Sequence, residues 1–535
     1  MNANAAGELD NTDGNNEGTL SSAQAFSNRD LLSTDDEDGN VRTADNFSAS
    51  DIERVNATGK VATKDRISAA PAGSTLATVI DGDGTRDTLV AGGNLRIGAS
   101  EKDRIEVGAG GIALGGLAGV GASVGVLDVR HNVGATTVGA ISLQADTGDI
   151  ELSAKTAELP DTDPLVQAEP ALQVDSFQAA GGLVGVGAAV ATADLNNTVR
   201  AGLGAGAQAT VSSAAGDLRV TASDTLDASS NAQGYAVGVV AAGIVIARAD
   251  KSGSTTAQIG GRDTATTQSA ATGVTLAGGL LDVRATREDT VSAESMAGAG
   301  GVAAGSGSES RAGALGTADA AIADRVTIAG TGSTVSVTAH STPQVSSVAR
   351  GYNGSLVVSI GVSLAEASAS TQSFATVGRY NSITAGALSL NAATLLPTVV
   401  TSAGTSVGHS AYSYANATGG SLLVGANGSD SWAGSTSLVN ATVGGSNSFA
   451  ISGSTSLTAS NQTRQTAETS GVTIGGLLAI GANLASASAG SVTLASIDNG
   501  NTGSVGSALS VLATGQDQTY ADAEAGSGGI NAGPA

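Results

Sequence analysis

The feature that most constrains the fold is a short marker, apolar-x-apolar-x-Ala, which recurs along the chain about every 54 residues, with longer steps where residues are inserted. Each marker is followed by a polar stretch, a segment of small apolar residues and a short strand that ends in Val or Ile. Repeats of this length are typical of solenoids, because each unit buries its apolar face only by stacking on its neighbours. The markers begin at Leu95, Ile150, Leu218, Leu281, Val335, Leu388, Thr455 and Leu509.

The repeats have the pattern of β-strands rather than helices. Val, Ile and Thr alternate with polar residues at a period of two, and Gly, Asn and Asp punctuate the chain as turn residues. Strong helix formers are scarce, and Ala stands beside Gly, Val and Ser instead of recurring at a helical spacing. The sequence therefore predicts an all-β protein.

The segment of small apolar residues suggests how the strands pack. Residues 236–249 are apolar on both alternating faces, whereas a strand with one wet face alternates apolar and polar residues. Glycine is 76 of 535 residues and aromatics are 2%, so close packing requires backbones to approach one another. We therefore predict a β-solenoid with a wide, multi-sheet cross-section and a central sheet of small apolar strands that is buried on both sides.

Two arrangements of one repeat remain open. The repeat could form one wide rung, so that like strands stack on like, or three short coils of about 18 residues each. Stacking of like strands favours the wide rung. At about 4.8 Å per rung, eight copies would give a body about 40 Å long.

The sequence divides into two regions. Residues 1–60 are rich in Asn, Asp, Glu and Ser, which predicts a flexible segment or an irregular cap. Residues 61–535 are the repetitive solenoid, which we expect to continue beyond the end of this chain. Residues 157–176 contain Pro160, Pro164 and Pro170 among acidic residues, and they are predicted to loop out of the framework.

Charge and composition limit the partners and the location. The net charge is -24 and no basic patch appears, so we expect no nucleic-acid binding and no attraction to anionic lipid. The chain has no cysteine, which excludes disulfides and thiolate metal sites. It has no apolar run of membrane-spanning length, and its first residues do not resemble a signal peptide. We interpret the chain as a piece of a longer exported protein.

Candidate sites are few. Asp81, Asp83 and Asp87 lie in a Gly- and Asp-rich stretch that resembles calcium turns of secreted repeats, although an ordinary turn is favoured there. The three histidines are expected to face solvent, without metal-site spacing. The sequence contains no recognisable nucleophile or paired-carboxylate motif on neighbouring repeats, so we expect no enzyme activity and no cofactor other than calcium.

The residues ISLQADTGDIELSAKT (141–156) and GGLVGVGAAVATADLNNTV (181–199) resemble the repeats of large secreted bacterial adhesins. Those are the filamentous-haemagglutinin-like and autotransporter-passenger β-solenoids. The resemblance implies an extracellular or cell-surface location and a role in adhesion, with self-association into filaments or binding to host or matrix glycans. The alternatives are a carbohydrate-active β-helix enzyme or glycan-binding module, for which Trp432 and Tyr412 are the aromatic candidates, and a surface-layer or sheath subunit.

Overall fold

The structure is a computed structural model that describes residues 66–69, 72–81, 85–159, 172–264, 268–401, 404–529 and 531–532. These residues form strands and turns without a helix, so the predicted all-β class is confirmed. None of them belongs to an apolar helix long enough to cross a membrane. The predicted segment 1–60 lies outside the described residues.

The strands are grouped here in rungs, numbered after the marker that each contains. Two strands precede rung 1: β1 (Arg66–Ala69) and β2 (Ala72–Ile80). Rung 1 comprises β3 (Asp87–Ala91), β4 (Leu95–Asp103), β5 (Ile105–Leu114) and β6 (Ala118–Val138). Rung 2 comprises β7 (Ile141–Ala145), β8 (Ile150–Glu158) and β9 (Leu172–Leu203). Rung 3 comprises β10 (Gln208–Val211), β11 (Leu218–Asp224) and β12 (Ala228–Ile259). Rung 4 comprises β13 (Thr272–Leu276) and β14 (Leu280–Ile322), and rung 5 is the single strand β15 (Val326–Val377).

The later rungs follow the same order. Rung 6 comprises β16 (Ser382–Thr394), a hairpin of β17 (Thr398–Thr401) and β18 (Gly404–Val407), β19 (Ala411–Ser421) and β20 (Val424–Val443). Rung 7 comprises β21 (Ser448–Ile451), β22 (Thr455–Gly475) and β23 (Leu478–Ile497). Rung 8 comprises β24 (Thr502–Val505), β25 (Leu509–Gly528) and β26 (Asn531–Ala532).

Strands of neighbouring rungs pair in parallel, as expected for a β-solenoid. Leu218 of β11 pairs on one side with Ile150 and on the other with Leu281. The same register joins every marker to the next, from Leu95 to Leu509. In this register the chain makes one wide rung from one marker to the next, and like strands stack on like.

Each rung has two parts that enclose separate cores. The marker lobe consists of the end of a long strand, a short strand and the marker; for example, residues 208–211 and 218–222 of rung 3 pack together with residues 199–203, the end of β9 from rung 2. The arm consists of two strand segments that run out and back, such as residues 228–237 and 240–249, and their inner faces form the second core. The marker faces are dry, since Leu218 and Val220 are fully buried.

The arms narrow to a tight turn at their outer end. In rung 1 this turn joins β5 to β6 through Gly115 and Gly116, and a Cβ at Gly115 would lie 2.0 Å from the Ala118 carbonyl oxygen. Glycine is therefore required here because of the close approach of the backbone. Small residues on the inner faces let the two strands of an arm lie close together.

The predicted central sheet is wrong. The apolar strands are the outer part of the arms, and they are buried on the inner face alone: Val237 is 65% exposed while Ala236 beside it is buried. The reason is steric. Towards the turn the space inside the arm narrows and its buried apolar residues are mainly Ala, so most of the larger Val, Ile and Leu side chains there point outward.

Two rungs have an insertion at the same position of the repeat, between the marker and the arm. Glu158 pairs with Asp103 and Leu172 pairs with Ile105, so the sequence of rung 2 has thirteen residues between these two pairs where rung 1 has Arg104 alone. Of the predicted loop 157–176, residues 157–158 lie in β8, residues 172–176 lie in β9, and residues 160–171 fall outside the described part. The β17–β18 hairpin leaves rung 6 at the equivalent position.

Candidate functional site

The outer part of the arm has an inverted alternation of side chains. In rung 5, Ser359, Gly361, Ser363 and Ala365 face inward, whereas Val358, Ile360, Val362 and Leu364 face outward, three of these last four being exposed. An ordinary half-buried strand places its large apolar side chains in the core and its serines in water. The hydroxyl of Ser363 is hydrogen-bonded within the arm, 2.9 Å from the hydroxyl of Ser308, whereas the buried hydroxyl of Ser359 has no hydrogen-bond partner among the described residues.

Stacked rungs turn these outward side chains into a continuous surface, which we call the apolar ridge. It runs along the turn of the arms and the strand segments beside it. Because the pairing is parallel, residues 117, 183, 239, 356, 422 and 477 follow one another along its crest. The exposed large members on the crest and flanks are Ile112, Leu114, Leu117, Val120, Leu183, Val184, Val237, Val239, Val240, Ile244, Leu356, Val357, Ile360, Val362, Leu364, Leu422, Leu423, Val472, Ile474, Leu477, Leu478, Ile480 and Leu484.

The ridge is interrupted by a notch at rung 4, where residues 297–308 of the arm are Gly, Ala and Ser apart from Val302. Gly298 stands in register between Tyr235 and Tyr352 of the adjacent rungs. A Cβ at Gly298 would lie 2.7 Å from Cδ1 of Tyr235. The resulting groove of about 550 Å³ is lined by both tyrosines and by Val237 and Ile474.

The ridge carries no formal charge. Residues 110–125, 178–190, 234–247, 297–308, 351–365, 415–429 and 469–489 contain no Asp, Glu, Lys or Arg. The whole chain nevertheless has 48 acidic and 24 basic residues. The ridge is therefore an uncharged strip on an acidic molecule.

A second groove lies beside the ridge on the outer face of the returning arm strands. It has a volume of about 420 Å³ and is lined by Trp432, Leu364, Glu309, Glu366, Asp430 and Arg311. Glu366 pairs in register with Arg311 on one side and Trp432 on the other. An aromatic ring next to charged hydrogen-bonding groups is a chemical arrangement suited to sugars.

A buried polar junction lies where the arm meets the marker lobe. Its centre is formed by Asp224, Lys251, Arg287 and Asp289, whose side chains are fully buried. Lys251 Nζ lies 3.2 Å from Asp289 Oδ1, and Arg287 Nη1 lies 3.2 Å from Asp224 Oδ2. Two cations thus neutralise two carboxylates, the condition under which burial of such charges is tolerated.

The junction shifts carboxyl pKa values in both directions. Burial acts to raise the pKa of Asp224, but the charges of Lys251 and Arg287 and hydrogen bonds from Thr156 and Asn197 outweigh it, so the pKa lies below its ordinary range. Burial, together with the negative charge of Glu158, raises the pKa of Asp227 to about 7. Asp224 is therefore charged at neutral pH, whereas Asp227 is about half protonated.

The predicted calcium turn is described in part. Asp81 follows β2, and its Oδ2 accepts a hydrogen bond of 3.2 Å from the backbone N–H of Ala140. Asp87 begins β3 and is exposed. Asp83 lies outside the described residues, so calcium binding by these three carboxylates stays a prediction.

The histidines differ from expectation at one position. His131 is 8% exposed, so the prediction that it faces solvent is wrong. It shares the inward parity of Val129 and Val133 in β6, and that alternation is the sequence signal for its burial. His340 and His409 are half-buried, and burial lowers the pKa of both, with further lowering by Arg284 and Arg464 respectively.

The aromatic candidates do not form one platform. Trp432 lines the groove beside the ridge, on β20. Tyr412 lies on β19, where its hydroxyl donates a hydrogen bond of 3.1 Å to Glu468. Burial and the Glu468 charge raise the pKa of Tyr412 to about 12. The sequence signal that would have found the ridge is the run VSIGVSLA, whose faces are Ser-Gly-Ser-Ala and Val-Ile-Val-Leu.

Comparison with known proteins adds no relative to these observations. No family model, no curated protein and no solved structure matches the chain.

Proposed function

We propose that this chain is a structural and adhesive segment of a secreted bacterial surface protein, and that its apolar ridge associates with a second copy of the chain. The observation that carries the proposal is the inverted alternation of the arms, which directs the larger apolar side chains outward on both sides of the notch at rung 4. Removing such side chains from water stabilises an association by about 25 cal/mol per Å² of apolar surface.

The size of the ridge supports a protein partner. Its crest and flanks expose on the order of 2,000 Å² of apolar side chain, several times the largest patch on a typical monomer. A standard interface buries about 800 Å² on each partner. One flank with the crest is therefore enough for a stable contact between two chains.

The charge distribution supports a second copy as that partner. Two molecules of net charge -24 repel each other in most orientations. Contact along the uncharged ridge keeps the acidic surfaces of the two molecules apart. Lateral pairing of solenoids in this way builds a thicker fibre and gives a structural role without a catalytic centre.

Location and adhesion are part of the proposal. They are supported by the resemblance of residues 141–156 and 181–199 to bacterial adhesin repeats, and by the absence of cysteine from a repetitive chain held together by backbone hydrogen bonds. The surface-layer or sheath alternative differs in predicting an ordered lattice, which electron microscopy of the assembled protein distinguishes from isolated fibres.

Sedimentation velocity tests the ridge directly. The wild-type chain, measured from low to high micromolar concentration with and without calcium, should increase in mass. A double variant, Val237→Asp with Ile244→Asp, should stay monomeric at every concentration, because it places two charges on the ridge. Its circular dichroism should match that of the wild type.

The matched control is Thr327→Asp with Ala329→Asp, which adds the same charges to an exposed face of the marker lobe. It should associate like the wild type. A wild type that stays monomeric throughout, or a ridge variant that associates as well as the control, overturns the proposal. So does a monomeric wild type that co-sediments with uncharged phosphatidylcholine vesicles, which would assign the ridge to lipid.

A glycan-binding function is the second candidate, favoured by the groove around Trp432. Binding to a glycan array should be lost in Trp432→Ala and kept in Tyr520→Ala, which removes an exposed aromatic ring elsewhere. Equal binding by both variants would exclude this groove. Hydrolysis of a bound polysaccharide that Glu366→Gln abolishes would instead identify an enzyme.

A further inference from the structure

The polar junction is not equivalent in all rungs. Glu101 of rung 1 occupies the stacking position that Asp224 occupies in rung 3 and Arg287 occupies in rung 4. It stands two residues before Asp103, on the same face of β4. Facing them is His131 of β6, in register with Asn197 of rung 2. Rung 1 thus places two carboxylates and an imidazole where rungs 3 and 4 place two carboxylates and two permanent cations.

The three side chains converge. One ligand atom from each of Glu101, Asp103 and His131 can be chosen so that all lie within 4.8 Å of one another. The His131 side chain is 6% exposed, and its Nδ1 lies 3.4 Å from Asp103 Oδ2. Among the described residues, neither of these two buried atoms has a hydrogen-bond partner. A buried imidazole nitrogen and a carboxylate oxygen therefore face each other without a bond between them.

The cluster differs in charge from the junction of rungs 3 and 4. Among the described residues, the ion pair recorded for these carboxylates is the one with His131, which is charged only when protonated. Burial raises the pKa of Asp103, and Glu101 raises it further against the opposing effect of His131. In rungs 3 and 4 the same place holds Lys251 and Arg287. Among the residues that the structure describes, no Lys or Arg side chain forms an ion pair with the carboxylates of the rung 1 cluster.

The spacing fits a metal ion better than a hydrogen bond. Two ligands bound tetrahedrally at 2.0–2.1 Å from Zn²⁺ lie about 3.3 Å apart, close to the 3.4 Å between His131 Nδ1 and Asp103 Oδ2. The donor set of one imidazole and two carboxylates suits zinc and similar ions, whereas calcium takes oxygen ligands. The Thr75 hydroxyl donates a hydrogen bond to Glu101, and such a contact orients a ligating carboxylate.

We propose that Glu101, Asp103 and His131 form a binding site for a divalent ion of the zinc class. The ion would join β4 to β6 in rung 1 and do there what Lys251 and Arg287 do in rungs 3 and 4. This site is separate from the predicted calcium turn, and it does not depend on the function proposed for the ridge.

The three histidines of the chain make the test specific. The full chain is labelled with ¹⁵N-histidine, stripped with a chelator and titrated with ZnCl₂, while the imidazole nitrogens are followed by NMR. One equivalent of Zn²⁺ should shift Nδ1 of a single histidine, and His131→Gln should remove that signal and weaken zinc binding at least tenfold. Zinc should also raise the melting temperature of the wild type, and CaCl₂ should leave the imidazoles unchanged.

Matched variants keep the test decisive. His409→Gln removes a half-buried histidine elsewhere and should bind zinc like the wild type, and Asp103→Asn should lose it. If His131→Gln does not fold, the shifted signal is assigned by elimination from His340→Gln and His409→Gln. Absence of any imidazole shift at several equivalents of Zn²⁺, or a shift confined to His340 or His409, overturns the site.

Discussion

The marker lobe and the arm are built from similar residues and have opposite relations to water. Val220 in the lobe is 0% exposed, whereas Val237 in the arm is 65% exposed. Both lie in strands that pair in parallel with the equivalent strand segments of the two neighbouring rungs. The difference is what lies behind each strand. Three strand segments enclose the lobe core and leave room for Leu, Ile and Val, while two close strands enclose the outer part of the arm, where the buried apolar residues are mainly Ala.

This comparison teaches that apolar composition does not locate a core. A run that is apolar on both faces is compatible with a strand that is covered on both sides. It is equally compatible with a strand whose second face is exposed and available to a partner. Size resolves the ambiguity: when the small residues occupy one parity and the large ones the other, the small ones mark the narrow interior. The predictions below test this contrast, beginning with the largest expected effect.

The strongest test introduces the same charge into both regions. Val220→Asp places an unpaired carboxylate in the dry lobe core, and it should lower the free energy of unfolding by about 4 kcal/mol or more, or prevent folding. Val237→Asp should change it by less than about 1 kcal/mol in the monomer. Denaturant titrations of the two variants provide the comparison, and equal destabilisation would remove the distinction between lobe and ridge.

The next test removes a cation from the junction between the two regions. Lys251→Met leaves the buried carboxylates of Asp224 and Asp289 with Arg287 alone, and it should cost about 3 kcal/mol. The control is Arg130→Met, which breaks an exposed pair with Asp128 and should cost less than about 0.5 kcal/mol. If urea unfolding of the two variants gives similar losses, the junction does not depend on its buried cations.

A smaller effect is expected from filling the space beside Arg287. In Gly316→Ala the new Cβ would lie 2.0 Å from Arg287 Nε, so the guanidinium must move away from Asp289. The expected loss is about 2 kcal/mol. Gly307→Ala, on the same strand β14, meets nothing within 4 Å and should be neutral or stabilising by up to about 1 kcal/mol. Thermal unfolding of the pair checks this, and equal melting temperatures would contradict it.

The smallest effect depends on pH. The pKa of Asp227 rises from an ordinary 3.8 to about 7 in the folded chain. The folded state therefore binds this proton more tightly than the unfolded state, so ionised Asp227 costs stability at high pH, and the cost is relieved as the pH falls through 7 towards 3.8. Asp227→Asn should raise the free energy of unfolding by about 1–2 kcal/mol near pH 8.5 and by less than half of that near pH 5. A pH-independent difference between the two proteins would argue against this assignment.

Much of the fold was predictable from the sequence. The marker residues Leu218, Val220 and Ala222 predicted parallel stacking, and glycine turns with alternating Val and Thr predicted strands without helices. The burial of the arm was not predicted, because the apolar character of residues 236–249 is the same on both faces of the strand and only the size difference between Ala236 and Val237 distinguishes the inner face from the outer one. That difference was present in the sequence.

The candidate sites were less predictable for a physical reason. Asp224, Lys251 and the pair Arg287 and Asp289 are distant in sequence, and only the path and stacking of rungs 3 and 4 bring them together. The same holds for Asp103 and His131. Their inward parity was readable, since Arg287 follows Val283 and Ala285 at a period of two, and His131 follows Val129. Predicting which charged side chains meet would also require knowing how many residues are inserted between successive rungs.

The most direct test of the exposed ridge is cysteine labelling, because the chain contains no cysteine of its own. Val237→Cys and Val220→Cys are treated with a maleimide in native, dilute protein that sedimentation shows to be monomeric. The account predicts that Cys at 237 reacts nearly as fast as in denaturant, while Cys at 220 is protected until the protein unfolds. Equal protection of both positions would show that the apolar strands are buried on both faces, and it would contradict an exposed ridge.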